Sequence, residues 1–279
     1  MTGILYVVAT PIGNLEDVTL RALRVLREVS IIAAEDTRRT ARLLQHYSIS
    51  TPTTSLHEHN ERSKTPSLIA RMTAGESIAL VSDAGTPVVS DPGAHLVAEA
   101  HRQGVRVEPI PGPSAAIAAL SASGFAETEF LFAGFPPQRS NARKQWLAAL
   151  ADEPRPVIIY EAPHRIKGTL EDMLEVQGDR LVALARELTK AHEQLVVRPI
   201  SDLIGEVAEF TKGEYTLVVS PRAAEVTVGV LPGPLQLLDE FGELTKNIST
   251  SRREALRILA KRYNVPVKTV YVRIEESRK

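Results

Sequence analysis

Short apolar runs that are rich in β-branched residues recur along the chain and predict buried strands. Between them, apolar residues three or four positions apart, as at Leu20, Leu23 and Leu26, predict helices. Strands that alternate with helices indicate an α/β fold, in which a parallel or mostly parallel sheet is covered by helices on both faces. The predicted strands are residues 4–9, 30–34, 78–82, 105–110, 130–134, 157–160, 181–186 and 215–220.

The pattern pauses once, at the Pro-Ile-Pro-Gly-Pro-Ser stretch of residues 109–114, and then resumes. This pause predicts two α/β domains, residues 1–111 and residues 112–222. A stretch without periodicity follows, so residues 223–245 are interpreted as a linker. Residues 246–279 are predicted to form a small C-terminal extension with helical spacing, although the valines of its second half also permit a strand.

Charge is distributed unevenly along a chain whose net charge is −1. Residues 246–279 contain ten Lys/Arg and three Glu, so this segment carries +7 and the rest of the chain carries −8. The asymmetry is typical of a basic appendage on a mildly acidic body, although a solvated pair of basic helices gives the same pattern.

Composition excludes several kinds of site. The sequence has no cysteine, which rules out disulfides, thiolate zinc sites and a cysteine nucleophile. It lacks the GxxxxGK[ST] and GxGxxG nucleotide-binding patterns and the GxSxG nucleophile elbow. His57-Glu58-His59 lacks the i, i+4 spacing of helical metal ligands, so no metal site is predicted. No signal peptide or membrane-spanning run is visible, and a cytoplasmic protein is expected.

Three Gly/Pro-rich loops follow predicted strands, at residues 9–17, 81–93 and 110–115. In open α/β sheets, ligands bind beyond the carboxyl ends of the strands, so these loops are expected to line one cleft. Pro11 and Gly13 end the first apolar run and lie in the loop that follows it. Glycine in such a loop lets the backbone approach another group closely. Each loop alone is also consistent with an ordinary turn, and the three together favour a binding site.

Seven segments, taken together, resemble the tetrapyrrole-methylase superfamily over about residues 4–222. Within it, they are most similar to the branch that 2′-O-methylates a cytidine in the decoding region of 16S ribosomal RNA. The segments are VVATPIGNLEDVTLRAL, EDTRRTARLL, LVSDAGTPVVSDPG, PIPGPSAAIAAL, FAGFPP, YEAPHRI and ARELTKAHE.

The resemblance implies two α/β domains with S-adenosylmethionine in the cleft between them, a homodimer, and the small ribosomal subunit as substrate. Corrin-building relatives have a longer Gly/Pro-rich element in place of ATPIGNL, so their contacts cannot be transferred to this loop. Carried over residue by residue, the expected cofactor contacts are Pro11, Asp83, Ala84, Gly85, Thr86, Ser114, Ala115, Phe135, Leu188 and Thr216.

A ribose hydroxyl is weakly acidic, so methyl transfer to it benefits from a base or a cation near the reacting oxygen. Glu187, Lys190 and Glu193 would share one face if their segment is helical, and they are the candidate catalytic residues. An ordinary surface ion-pair ladder gives the same spacing. Tyr160 or Phe135 is the candidate for stacking on a base. Contacts with RNA are expected from Arg38, Arg39, Arg139, Arg143, Lys144, His164 and Arg165.

Two other functions fit the same sequence. A small-molecule methyltransferase of the corrin type would use the cleft without RNA, and carboxylate-rich tetrapyrroles would also attract arginine. A non-catalytic ribosome-binding module would bind the subunit whether or not the cofactor is present. An Asp83→Ala variant that folds but no longer transfers methyl groups would distinguish an enzyme from such a module.

Overall fold

The computed structural model describes residues 2–125, 128–207, 213–222, 231–246, 251–263, 265 and 267–276. The chain divides into a first unit, Met1–Arg222, and a second unit, Ala223–Lys279. Both predicted α/β domains belong to the first unit, and the division between residues 111 and 112 stays a prediction. Among the described residues, no helix has the length and apolar character needed to cross a membrane.

The first sheet is entirely parallel, and its strand order is β3-β2-β4-β1-β5. Its strands are β1 (Ile4–Val8), β2 (Ile31–Ala34), β3 (Thr53–Ser55), β4 (Ile78–Val81) and β5 (Arg106–Ile110). β2 and β4 are buried along their whole length, as expected of strands covered on both faces. Because all five strands run in the same direction, the loops that follow them lie along one edge.

Helices cover both faces of this sheet. α1 (Leu20–Glu28) and α2 (Thr37–His46) pack on one face, and α3 (Glu61–Thr73) and α4 (Ala94–Arg102) pack on the other. α1 begins where the Thr19 hydroxyl accepts a hydrogen bond from Ala22 N at 3.1 Å, and its apolar stripe is buried in the core. The apolar spacing that predicted this helix is therefore confirmed.

The second sheet is mixed, with strand order β6-β7-β10-β8-β9. β6 runs parallel to β7, whereas β10 is antiparallel to both of its neighbours and β8 is antiparallel to β9. Its strands are β6 (Leu131–Gly134), β7 (Val157–Glu161), β8 (Leu181–Arg186), β9 (Gln194–Pro199) and β10 (Tyr215–Val219). α5 (Ala115–Ser123) covers one face, and the other face is covered by α6 (Ser140–Ala149), α7 (Ile166–Gln177) and α8 (Ile200–Val207).

The expectation of parallel strands is wrong for this second sheet. Residues 187–193 are all that join β8 to β9, and a parallel pair needs a crossover of about a dozen residues or more. The α/β class itself, with two helix-covered sheets, is confirmed.

The second unit contains α9 (Pro234–Lys246), α10 (Arg252–Arg262) and α11 (Val267–Glu276). Leu237 and Phe241, one turn apart on α9, are buried in a core with Leu259 of α10 and Val270 of α11. The predicted linker 223–245 is therefore helical from residue 234, while residues 223–230 lie outside the described residues. The stretch that also permitted a strand is helical.

Candidate active site

Three loops at the carboxyl edge of the first sheet are tied to one another. Thr10 N donates to Gly85 O at 2.8 Å, and Gly85 N donates back to Thr10 O at 2.9 Å. The Thr86 hydroxyl donates to Pro113 O at 3.1 Å, which joins the second loop to the third. The prediction that the Gly/Pro-rich loops after β1, β4 and β5 share one edge is confirmed.

A main cavity of about 550 Å³ lies between these loops and the second sheet. From the first sheet, its lining includes Ile12, Asp83 and Ser114, and from the second sheet it includes Tyr160 and Glu214. Eight of the ten expected cofactor residues line this cavity, namely Asp83, Ala84, Gly85, Thr86, Ser114, Ala115, Phe135 and Thr216. The sequence resemblance therefore pointed to residues that the fold brings together.

The other two expected cofactor residues line smaller spaces beside the main cavity. Pro11 faces a second cavity of about 380 Å³, and Leu188 faces a small pocket of about 30 Å³ together with Ala115 and Thr216. Both residues therefore border the candidate site without lining its main cavity.

Carboxylates give the main cavity an acidic wall. Asp83 accepts a hydrogen bond from Asp36 N at 3.0 Å through Oδ1, and its Oδ2 lies 3.1 Å from Arg39 Nη1. Burial is the main cause that raises the pKa of Glu35, whose Oε2 accepts from Asp83 N at 3.2 Å. Burial, with the charges of neighbouring carboxylates, raises the pKa of Asp91 to about 6 against a hydrogen bond from Ser82. The wall therefore contains two carboxyl groups, Glu35 and Asp91, whose protonated form burial favours.

Two aromatic side chains, Phe135 and Tyr160, also line the main cavity. The Tyr160 hydroxyl accepts from Ala116 N at 3.2 Å at the start of α5, and burial raises the pKa of Tyr160. The Phe135 ring centroid lies 5.5 Å from that of Tyr160, and Phe135 is 54% exposed. A fixed ring beside an exposed ring can hold a planar ligand group, which keeps both as candidates for stacking.

The first loop packs against residues 187–190 of the β8–β9 connection. A Cβ at Gly13 would lie 2.5 Å from Lys190 Cγ, and Asn14 N donates to Thr189 Oγ1 at 2.9 Å. Glu187 and Thr189 have positive φ angles of 50° and 66°, so this segment is not the helix on which the shared face was predicted. The glycine in the first loop thus permits a close approach to the protein's own backbone.

The three candidate catalytic residues have different positions in this connection. Lys190 Nζ donates to Glu187 Oε1 at 2.8 Å, and this hydrogen bond is the main cause that lowers the pKa of Glu187. Lys190 borders the second cavity, and both residues border the small pocket. Glu193 lines none of these spaces, because its carboxylate accepts from Thr189 N at 2.5 Å within the loop. Glu187 and Lys190 are therefore the candidates that the cavities support, and Glu193 stays a prediction.

Two of the seven residues expected to contact RNA bond to groups of the protein itself. Arg143 is 7% exposed, and its guanidinium lies 2.6 Å from Asp172 Oδ2. Arg165 donates to Pro136 O at 2.6 Å beside the buried Glu161. The expected RNA contact of Arg143 is wrong, because a buried ion pair holds its side chain inside the protein. Arg165 is only partly buried, so its RNA contact stays a prediction.

The remaining five residues stay open as RNA contacts. Arg39 borders both large cavities. Arg38 is exposed and paired with Asp36 at 2.8 Å, Lys144 is paired with Glu175 at 2.6 Å, and Arg139 and His164 are exposed.

Several residues of the main cavity were not predicted. Glu35 directly follows β2, so its place after a strand was a usable signal. Asp91 lies in the second Gly/Pro-rich loop, where an aspartate is also an ordinary turn residue. Glu214 precedes β10, whose antiparallel direction brings its start beside the ends of β7 and β8. No sequence signal gave that direction.

Sequence comparison matches residues 4–204 to the family described as Tetrapyrrole (Corrin/Porphyrin) Methylases. The chain is 44% identical to Ribosomal RNA small subunit methyltransferase I of Pasteurella multocida, over 97% of this chain and 96% of that protein. It is 54% identical to the protein of the same name in Vibrio cholerae, over 77% of this chain and 76% of the other. The chain belongs to the tetrapyrrole methylase family.

A solved structure supports the fold of this tetrapyrrole methylase. It is a uroporphyrin-III C-methyltransferase from Thermus thermophilus in complex with S-adenosylhomocysteine, with a TM-score of 0.57 and 19% identity. The alignment covers 77% of this chain and 97% of that one. As a member of a methylase family, the protein is a methyltransferase, and S-adenosylmethionine is its cofactor. Within the described residues, no three His, Asp or Glu side chains are grouped to hold a metal ion.

Proposed function

We propose that this methyltransferase 2′-O-methylates the ribose of a cytidine in the decoding region of 16S ribosomal RNA. The observation that carries the proposal is the set of relatives at 42–54% identity, which are all named Ribosomal RNA small subunit methyltransferase I. The acidic body is poorly suited to capture of a free RNA strand, so the assembled small subunit is the proposed substrate. A homodimer remains an expectation of the same proposal.

The main cavity fits the cofactor in size and chemistry. A volume of about 550 Å³ lies in the range of roughly 300–1,000 Å³ that is typical of small-molecule sites. Gly85, at φ +77°, brings its backbone to the cavity, where a substituted residue would be strained. The carboxylates of Asp83 and Glu214 line a site for a ligand that carries a sulfonium and an ammonium group. Asp83 and Gly85, with Ser114 and Thr216, are the residues proposed to hold it.

The cofactor supplies a methyl group on a positively charged sulfur, and the protein must bring an acceptor oxygen in line with it. Positioning and exclusion of water can provide most of the rate enhancement in such a displacement. Lys190, fixed by Glu187, offers a cation that would stabilise the ribose oxygen as its proton passes to water. The Cγ atom of Lys190 lies where the two loops meet, so the packing at Gly13 would help to set the course of its side chain.

The proposal is tested by methyl transfer from radiolabelled S-adenosylmethionine to small ribosomal subunits that lack native methylation. Digestion of the product to nucleosides should place the label in 2′-O-methylcytidine. An Asp83→Ala variant should lose this transfer and keep its thermal unfolding transition. The matched control is Asp202→Asn, which removes a carboxylate from an exposed position on α8.

Two results would contradict the proposal. Full transfer by the Asp83→Ala variant would remove the basis for the cofactor placement. Tight binding of S-adenosylmethionine without label in RNA would favour a small-molecule acceptor, which is the chemistry of the corrin-type relatives.

A further inference from the structure

The second cavity, of about 380 Å³, adjoins the main one. One side of it is the first loop, through Pro11 and Gly13, and another is α2, through Arg39 and Arg42. The two cavities share lining residues, among them Ile12, Asp83 and Glu214. A group bound in the second cavity would therefore lie beside the ligand of the main cavity.

Three cations border this second cavity. Arg39 pairs with Asp83 at 3.1 Å, and Lys190 pairs with Glu187 at 2.8 Å, so both side chains are oriented by carboxylates. Arg42 is exposed, and in the described part of the chain it has no ion pair or side-chain hydrogen bond. A guanidinium at the rim of a cavity, with its donors unused, is suited to bidentate contact with a phosphate.

We infer that the second cavity is the subsite for the acceptor nucleotide, in which Arg42 contacts a backbone phosphate and Lys190 lies beside the ribose. The inference rests on the proposed function and adds the place and the contacts of the substrate. The hydroxyls of Thr10, Thr40 and Ser82, in addition to the cations, give the lining the polar character that a sugar-phosphate group needs.

The size of the cavity favours a nucleotide over a tetrapyrrole. A volume of about 380 Å³ is near the lower end of the roughly 300–1,000 Å³ that small-molecule sites span. One ribose with its phosphate is a better match for that space than a macrocycle of four rings. The mixture of three cations with the carboxylates of Asp83 and Glu214 also suits a group that presents both phosphate oxygens and hydroxyl donors.

An Arg42→Gln variant tests this subsite. Its matched control is Arg62→Gln, which removes the same charge from an exposed position on α3 that borders neither cavity. Initial rates of methyl transfer are measured against the concentration of unmethylated small subunits at several salt concentrations. Calorimetry gives the Kd for S-adenosylmethionine, and thermal unfolding verifies that both variants fold.

Loss of one charged phosphate contact should raise the KM for subunits about tenfold in the Arg42→Gln variant. The slope of log(1/KM) against log salt should become shallower by about 0.7 to 0.9. The Kd for S-adenosylmethionine should stay within about twofold, because Arg42 does not line the main cavity. The Arg62→Gln control should match the parent protein in all three measurements.

Each other outcome overturns the inference in a recognisable way. If the parent protein methylates the subunit and Arg42→Gln behaves like Arg62→Gln, the second cavity is not the nucleotide subsite and the proposed function stands. Weakened binding of S-adenosylmethionine in Arg42→Gln would assign the second cavity to the cofactor. If the parent protein binds S-adenosylmethionine without labelling RNA, the proposed function fails, and this inference fails with it.

Discussion

Replacement of Gly13 by alanine tests whether the first loop and the β8–β9 connection must touch for the site to work. The added Cβ would lie 2.5 Å from Lys190 Cγ, 2.7 Å from Thr189 Oγ1 and 3.0 Å from Leu188 O. Two of these neighbours cannot simply rotate away: Thr189 Oγ1 accepts the hydrogen bond from Asn14 N, and Leu188 O belongs to the backbone. The two loops must therefore separate.

The magnitude follows from two opposing effects. Overpacking of a close contact costs about 1–3 kcal/mol. The backbone of Gly13 has a conformation open to alanine, and the smaller entropy of the unfolded chain returns about 0.4–1 kcal/mol. The free energy of unfolding should fall by about 1 kcal/mol, which lowers Tm by about 2–4 °C in a unit of this size. Displacement of Lys190 by a fraction of an ångström should reduce methyl transfer by about tenfold.

Thermal unfolding and the radiolabel assay measure the two effects on the same preparation. The control is Gly205→Ala on α8, where the new Cβ meets no atom within 4 Å. This variant should be more stable by up to about 1 kcal/mol and should transfer methyl groups at the parent rate. If Gly13→Ala retains both the parent Tm and the parent rate, the close approach has no role in the site.

Three further perturbations have definite expected results. Arg143→Leu should lower the free energy of unfolding by about 3 kcal/mol in urea denaturation, because the buried Asp172 carboxylate then keeps only the Ser140 hydroxyl and the Lys144 ammonium at 3.7 Å. Loss of RNA affinity without loss of stability would contradict this. Burial raises the pKa of Asp91 to about 6 from an ordinary value of 3.8, so the folded state holds this proton more tightly and its contribution to stability falls between about pH 4 and pH 6. Asp91→Asn should therefore match the parent Tm at pH 4 and exceed it at pH 7, and an equal difference at both pH values would refute the assignment. Glu187→Gln removes the ion pair of Lys190 and should lower kcat by about tenfold, while the Kd for S-adenosylmethionine should not change. Weakened binding of S-adenosylmethionine would argue against the proposed position of Lys190 beside the acceptor oxygen.

Local patterns predicted four of the five strands of the first sheet and missed the short polar β3. The strands at 78–82 and 30–34 are apolar runs bounded by polar residues, and such runs identify themselves when both faces of a parallel sheet are buried. The carboxyl-edge rule then places the following loops together, as the Thr10–Gly85 pairing shows. The pattern could therefore place the loops together, whereas Gly85 and Ser114 were expected as cofactor contacts because the resemblance implied them.

The incorrect predictions share a dependence on distant partners. The spacing of Glu187, Lys190 and Glu193 is that of a helix face, but the contact with the first loop holds the segment in left-handed conformations. Arg143 stands in a polar, basic stretch, yet Asp172 on α7 draws its side chain into the interior. Sequence spacing reports neighbours within an element, whereas both of these outcomes are decided by residues more than twenty positions away.

The left-handed residues near the site also bear on how the enzyme would respond to selection. Val88, Ser90, Glu187 and Thr189 have φ angles between 50° and 75°, and Ser90 and Glu187 border the main cavity and the small pocket. A non-glycine residue in such a conformation costs about 1–3 kcal/mol, so glycine there would make the protein more heat-resistant while loosening the walls of the site. Laboratory evolution for thermal tolerance and evolution for turnover should therefore diverge at these positions. Ser48, with a φ of 54° in the turn after α2, lines neither large cavity and should be free of that conflict.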